Sequence, residues 1–253
     1  MSNPDHKPSH GTLNGLITVY FIRHGQGGSR QDYDCLSDVG REQSKLLGAW
    51  LARSSVRFEA AWSGRLNRQR ETAEQARDAC LRDGVSFPLI QVHTCWDEFD
   101  LDAVYRGIGP QIARHDNEFR RQVNDLEEQA MDASSSVHRT WAKCDTTLVR
   151  AWIDGCYEFA GESFEAFVSR VRGGVEVFDI GGPNRNVAVF TSATPTAVWA
   201  GMALELDGRK IMQLAGVTYN TSMTVIRVDR ERVRLFQFNT VPHIEIAELL
   251  THR

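Results

Sequence analysis

A chain of 253 residues is long enough for one domain carrying a large insertion. Its 42% hydrophobic and 25% charged residues fit an ordinary globular protein with a full core, and a net charge of −4 gives no basis for nucleic acid or an anionic membrane as the main partner. Five scattered cysteines, without a C-x-x-C pair, suggest neither a zinc site nor a disulfide framework, and read as free thiols in a reducing compartment.

In chain order, residues 1–14 are polar and rich in Pro, Gly and Ser; they lack the apolar stretch of a secretory leader and read as a disordered lead-in. The longest apolar run, 16–22, is too short to span a bilayer, so a cytoplasmic protein is expected. That run (LITVYFI) reads as a central strand covered on both faces. Residues 40–53 predict a helix with Leu46, Leu47, Trp50 and Leu51 on one face, and 58–62 a short strand. A second helix is predicted from residue 63, with Leu66, Ala73 and Cys80 recurring every seven residues and Gly84 stopping it. Another strand follows at 89–93. This alternation argues for a largely parallel sheet.

Residues 102–178 break the rhythm, with helical runs at 111–131, 140–157 and 163–178, and read as a helical insertion over one end of the sheet. A buried strand returns at 186–191, followed by a helix over 195–206. Segments 223–228 and 233–238 flank the DRER sequence as a terminal hairpin. The fold class expected is a three-layer α/β/α sandwich, residues 15–253 forming a single domain with its insertion.

The first chemical signal is Arg23-His24-Gly25 at the carboxyl end of the first strand, where open α/β sheets bind ligands. An imidazole attacks phosphorus when one nitrogen is free and the other is held by a hydrogen bond. An adjacent arginine offers a fork of donors for phosphate oxygens, and Gly25 permits close backbone approach. A surface Arg–His pair at a strand end would look the same. The second signal is Arg65, Arg68 and Arg70 in the opening turns of the second helix. Positive charge there opposes the helix dipole unless an anion is bound, although a solvated basic helix end is the plainer reading.

Taken in order, Arg23-His24-Gly25-Gln26, then Leu36-Ser37-Asp38-Val39-Gly40-Arg41-Glu42-Gln43, then Ser63 through Arg68 to Thr72-Ala73 resemble the histidine phosphatase, or phosphoglycerate-mutase-like, superfamily. The resemblance implies that His24 becomes a phosphohistidine with Arg23 and Arg68 clamping the phosphoryl oxygens, with neither metal nor cofactor. It also implies an acid/base glutamate after the third strand. Glu98 matches best, flanked by Trp96 and Phe99, which would raise its pKa; Asp97 is the fallback, and both also read as ordinary loop carboxylates.

One departure stands out. Relatives place a second catalytic histidine at the end of a late strand, where this chain has Ser192. Ser192, Thr194 and the backbone N–H groups from Ala193 onward can still bond phosphate oxygens, but they bring no positive charge. Three consequences compete: a Ser/Thr-backbone cradle that remains active, a relocated histidine such as His243, or a protein that binds phosphate without catalysis. His243 also reads as packing at the sheet edge.

Among lesser candidates, Gln26 is a possible first donor to the phosphate. Ser29 and Arg30 lie where relatives carry a phosphate-contacting asparagine, and His93 reads as a half-buried histidine near the Glu98 loop. Arg106, Arg114, Arg120 and Arg121 read as a charged outer helix face, and Trp141, Trp152, Tyr157, Phe159, Phe164 and Phe167 as core of the insertion. The expected reaction is hydrolysis of a phosphomonoester, with a small phosphorylated metabolite as partner. A mutase-type transfer or a catalytically inactive binder are the alternatives. A homodimer is expected only because dimers are the commonest assembly.

Overall fold

The computed structural model describes residues 15–178, 184–229 and 232–252; the expected lead-in at 1–14 lies outside them. Six strands form one sheet: β1 (Ile17–Arg23), β2 (Ala60–Ser63), β3 (Ile90–Val92), β4 (Arg185–Thr191), β5 (Met223–Val228) and β6 (Val233–Thr240), in the order β3-β2-β4-β1-β5-β6. β1, β2, β3 and β4 pair in parallel, and β5 runs antiparallel to both β1 and β6. The terminal hairpin is therefore present, its residues 230 and 231 lying outside the described ones.

Strand alternation sends side chains to two separate cores. Ile17, Val19 and Phe21 of β1 and Val187 and Val189 of β4 face one side, where they meet Trp96, Phe178 and Trp199. Ile22, Ala188 and Phe190 face the other, against Leu47, Leu51, Ala73 and Ala76. Those last four belong to α1 (Asp38–Arg53) and α2 (Asn67–Arg82), which pack together as one outer layer. α7 (Ala193–Leu204) covers the opposite face with α8 (Gly208–Gly216) beside it. The result is the expected three-layer α/β fold.

Between β3 and β4 lie α3 (Leu101–Ala113), α4 (Asn117–Gln129), α5 (Lys143–Ile153) and α6 (Phe164–Arg172), with a 3₁₀ segment at Gly173–Phe178. They join the sheet through a shared aromatic core, in which Phe99 stacks on Trp152 at 4.6 Å and Phe167 meets both rings at 5.9 Å.

Several boundaries differ from expectation. The single helix predicted at 111–131 is two, because the Asp116 side chain accepts the Phe119 N–H at 2.9 Å and starts a new helix there. α3 itself contains Gly107, Gly109 and Pro110, which hide it from a propensity reading. α8 begins at the Asp207 cap, where the side chain accepts from Lys210 N–H at 2.9 Å. The second helix starts at Asn67 rather than residue 63, since Ser63 still belongs to β2. Trp141 is not core: it is 45% exposed.

The register positions the site. β1 and β4 align Arg23 with Thr191, so His24 and Ser192 leave the sheet side by side, with His24 N–H bonded to the Thr191 carbonyl at 2.8 Å. From the other side, Asn220 Nδ2 donates to the His24 carbonyl at 3.1 Å. Thr221 N–H reaches the same carbonyl at 3.3 Å. The Thr221 hydroxyl donates to the Asn220 carbonyl at 2.7 Å and bonds His243 Nε2 at 2.8 Å. His243 thus braces the segment behind His24.

Burial lowers the His243 pKa from 6.5 to about 4. A neutral imidazole in the fold must take up a proton that the unfolded chain binds more readily, so stability is full above pH 6.5 and declines as pH falls toward 4. The loss by pH 4 is on the order of 3 kcal/mol, at about 1.4 kcal/mol per pKa unit. Urea unfolding of His243→Gln across this range is expected to show a shallower acid decline than the unsubstituted protein; parallel declines would contradict it.

Candidate active site

The chain makes a tight corner immediately after β1. A Cβ on Gly25 would lie 2.5 Å from the Gly40 carbonyl oxygen, and one on Gly40 would lie 2.1 Å from that of Gln26. Only two glycines let this loop rest on the first turn of α1. The loop is fastened from behind: Gly25 N–H donates to Thr72 Oγ1 of α2 at 2.9 Å, and Gln26 N–H to Gln43 Oε1 of α1 at 2.8 Å.

That corner fixes the imidazole of His24, which is 2% exposed. Its Nδ1 lies 2.7 Å from the Gly25 carbonyl, an acceptor only, so Nδ1 carries the proton and donates. The Nε2 lone pair is then free to accept, and Arg68 Nε donates to it at 3.2 Å. Burial first, then the charges of Arg68 and Arg23, hold the His24 pKa well below 6.5, with the Gly25 hydrogen bond opposing. The imidazole is neutral at pH 7, with its nucleophilic nitrogen defined.

Two guanidinium groups flank it. Arg23, at the end of β1, donates through Nη1 to the Thr218 carbonyl and is also bonded to the Tyr33 side chain, while its buried Nε has no partner among the described residues. An orphaned buried guanidinium N–H is costly unless an acceptor meets it, which suits an oxyanion site. Arg68, in the first turn of α2, lies over the Tyr33 ring at 4.8 Å and pairs through Nη1 with Asp34 Oδ1 at 2.9 Å.

Glu98 approaches from the segment after β3. One carboxylate oxygen accepts the Phe99 N–H at 3.1 Å and the other the Thr194 N–H at 3.1 Å, at the start of α7. Burial raises its pKa above 4.5, opposed by the Thr194 and Phe99 bonds and the Arg68 charge. Glu98 therefore retains a proton to higher pH than an ordinary carboxylate.

Arg23, His24, Arg68, Glu98, Ala193 and Thr194 all line one cavity of about 1320 Å³. Ser192 and Gln26 are not among its lining residues. The Ser192 hydroxyl accepts from Gln69 Nε2 at 2.8 Å, and the Gln26 side-chain oxygen from the Ser37 hydroxyl at 2.9 Å. Both hydroxyl and amide are engaged in tying the loops together.

Arg30, Arg65 and Asp97 also line this cavity, but their side chains are bonded to protein partners. Asp97 binds the Arg65 backbone N–H at 2.6 Å and its Nε at 2.7 Å, closing the turn between β2 and α2, so Arg65 is held by a carboxylate. Arg70 is exposed on α2. Arg30 is bonded within the protein: its guanidinium pairs with buried Asp145 at 2.6 Å and reaches the Val137 carbonyl at 2.7 Å, clasping the insertion to the loop after His24. His93 Nδ1 accepts the Cys95 N–H at 3.2 Å and lies outside the cavity lining. His243 is at the sheet edge, also outside it. Arg106, Arg114, Arg120 and Arg121 are exposed on α3, α4 and the turn between them, and do not line the cavity.

Tyr33 and Asp34 went unread in the sequence. The only available signal was their position in the loop after His24, and only the fold sets them against Arg68.

A neutral buried imidazole between guanidiniums, at the carboxyl ends of the parallel strands and sharing one cavity with a carboxylate of raised pKa, is chemically suited to a phosphoryl group. The comparisons agree: the model of the histidine phosphatase superfamily (branch 1) matches residues 19–151 and 111–241, and the chain belongs to that superfamily. It is 23% identical over 157 residues to the mitochondrial serine/threonine-protein phosphatase Pgam5 of Caenorhabditis briggsae, covering 58% of this chain and 52% of that protein. The chain thus spans about half the length of that curated relative.

Among solved structures it resembles a phosphoglycerate mutase from Bacillus anthracis str. Sterne, with 16% identity, TM-score 0.56, and coverage of 91% of this chain and 96% of that one. It likewise resembles a mycobacterial glucosyl-3-phosphoglycerate phosphatase, with 20% identity, TM-score 0.53, and coverage of 89% and 99%. At these identities the likeness is one of fold.

Asp34 occupies donors that an anion would use. Its Oδ1 holds Arg68, and its Oδ2 accepts the Asn67 N–H at 3.2 Å at the opening of α2. Both donors suit a phosphoryl oxygen, so this 43% exposed carboxylate competes for them. Asp34→Asn is expected to tighten inorganic phosphate binding about fivefold, in keeping with roughly 1 kcal/mol for a partly exposed pair. Calorimetric titration measures it; weaker binding would show that Asp34 serves the anion by aiming Arg68.

Proposed function

We propose that this protein is a phosphomonoester hydrolase that works through a phosphohistidine on His24. The observation that carries the reading is the Gly25 carbonyl bond, which leaves the Nε2 lone pair beside the Arg68 guanidinium. In the first step Nε2 attacks phosphorus, an N–P bond forms, the bond from phosphorus to the ester oxygen breaks, and the Glu98 proton passes to that oxygen. Arg68 shifts its Nε donor from His24 to a phosphoryl oxygen, and the unpartnered Arg23 Nε takes another. In the second step a water oxygen attacks phosphorus, the new O–P bond forms as the N–P bond breaks and its electron pair returns to Nε2, a water proton passes to the Glu98 carboxylate, and inorganic phosphate leaves. Charge on the oxygens is met by fixed guanidiniums, the main lever in phosphoryl transfer.

The substrate is a phosphorylated small molecule in this reading. Release of free phosphate separates it from a mutase-type return of the phosphoryl group to a second hydroxyl. The free thiols suit a reducing compartment, for which we propose the cytoplasm; the Caenorhabditis briggsae relative is described as mitochondrial.

The pH profile tests the roles. The attacking imidazole must be neutral, so kcat/KM rises as pH climbs through the lowered His24 pKa. Glu98 must be protonated, so kcat/KM falls as pH climbs through its raised pKa. Glu98→Gln is expected to remove that falling limb and to slow an alkyl phosphate about 10²- to 10⁴-fold, the range for a lost general acid. A phenolic ester, whose leaving group needs less proton help, should suffer less. Equal losses on both esters would remove Glu98 from the acid role, and turnover surviving in His24→Ala would end the reading altogether.

A binding-only protein is the second reading, favoured by Ser192: its hydroxyl is held by Gln69 and supplies no charge to the cavity. Ser192→His with Gln69→Ala, which makes room for the ring, is expected to raise kcat, as adding a charged donor to such a site should. Phosphate binding without turnover or phosphohistidine in either protein would favour the binder.

A further inference from the structure

The cavity is far larger than a phosphoryl group requires, and its outer part is built differently from its floor. At about 1320 Å³ it exceeds the roughly 300–1,000 Å³ typical of small-molecule sites. Beyond Arg23, His24 and Arg68 the lining passes to the insertion and to α8. Leu101 and Tyr105 stand four residues apart on α3, Val149 and Ile153 four apart on α5, and Met212 faces them from α8. Such spacing puts each pair on one helix face. The wall is rigid where it is built: Tyr105 Oη donates to Asp145 Oδ1 at 2.6 Å, and Asp145 is locked to Arg30.

Trp141 closes this wall. Of the large apolar side chains more than a third exposed among the described residues, it is the one that lines the cavity. An indole at the surface of a cavity, rather than buried in the insertion, adds aromatic area to the lining. Arg150, exposed beside Val149, adds a guanidinium that stacks on aromatic planes as readily as it pairs with anions. Asp100 and Asp102, on either side of Leu101, also line the cavity at the start of α3, where Asp100 caps the helix through the Ala103 N–H at 2.8 Å, and Arg209 and Gln213 line it from α8.

We infer that the insertion and α8 form a leaving-group subsite for aromatic or bulky apolar alcohols, so that the preferred substrates are their phosphomonoesters rather than those of short hydroxy acids. This rests on the phosphoryl group being seated at His24, and it adds the part of the substrate that the insertion recognises.

Stable phosphonates test the subsite without turnover. Calorimetric titration of the full chain with benzylphosphonate, methylphosphonate and phosphonoacetate is expected to show benzylphosphonate binding at least about tenfold tighter than the other two, as burial of a phenyl ring against apolar walls implies. Trp141→Ala should weaken benzylphosphonate roughly 3- to 10-fold and leave methylphosphonate unchanged. Equal affinities for the three, a preference for phosphonoacetate, or a Trp141→Ala loss shared by all ligands would overturn the subsite while leaving the phosphoryl site standing. Failure of every phosphonate and of inorganic phosphate to bind would remove the phosphoryl site and the subsite with it.

Discussion

The bond between His24 Nδ1 and the Gly25 carbonyl is the constraint on which the rest of the site depends. An imidazole buried between two guanidiniums is neutral on electrostatic grounds, but neutrality alone leaves two tautomers. The carbonyl selects the one with its lone pair at Nε2, turned toward Arg68. That carbonyl is available only because the chain bends sharply at residue 25, and the bend exists only because Gly25 and Gly40 lack side chains where the loop meets α1. The β1–β4 register, the Thr72 hydroxyl and the Asn220 amide then hold the bend from three directions. Sheet, helix and loop thus converge on one hydrogen bond.

Much of the fold was legible because its signals are local or periodic. The apolar runs behind β1 and β4 marked strands buried on both faces, and the apolar face of α1 marked an outer helix. The elements misread are those whose cause is a single cap or a distant contact. The Asp116 side chain divides a stretch that looks continuously helical, and the tertiary packing of α3 tolerates Gly107, Gly109 and Pro110, which as isolated residues argue against a helix. Trp141 was misplaced for a related reason: aromatic composition points to burial, and only the insertion's geometry turns this ring to the cavity.

The site was legible in part for a different reason. Arg23, His24 and Arg68 come from two stretches of chain that a parallel sheet brings to the same edge, and their order carries that information. What sequence order does not carry is which polar side chains are spent on one another. Asp97 is occupied by Arg65, Arg30 by Asp145, and Ser192 by Gln69. Each residue type suits a phosphate site, and each is held by a partner between 32 and 123 positions away in sequence. Tyr33 and Asp34 illustrate the converse: unremarkable loop residues that become important because Arg68 lies across one and pairs with the other.

Membership of the histidine phosphatase superfamily sets the fold, and within it Ser192 stands at the end of β4 and the insertion contributes part of the cavity lining. The proposed mechanism requires one particular ring nitrogen of His24 to take the phosphoryl group. The direct measurement is to quench the protein during exposure to a phosphomonoester and determine, by phosphorus–nitrogen NMR coupling on ¹⁵N-labelled histidine, where the phosphoryl group sits. An acid-labile phosphoramidate at Nε2 of His24 is expected; a phosphoryl group on Nδ1, on another side chain, or on none during active turnover would contradict the mechanism.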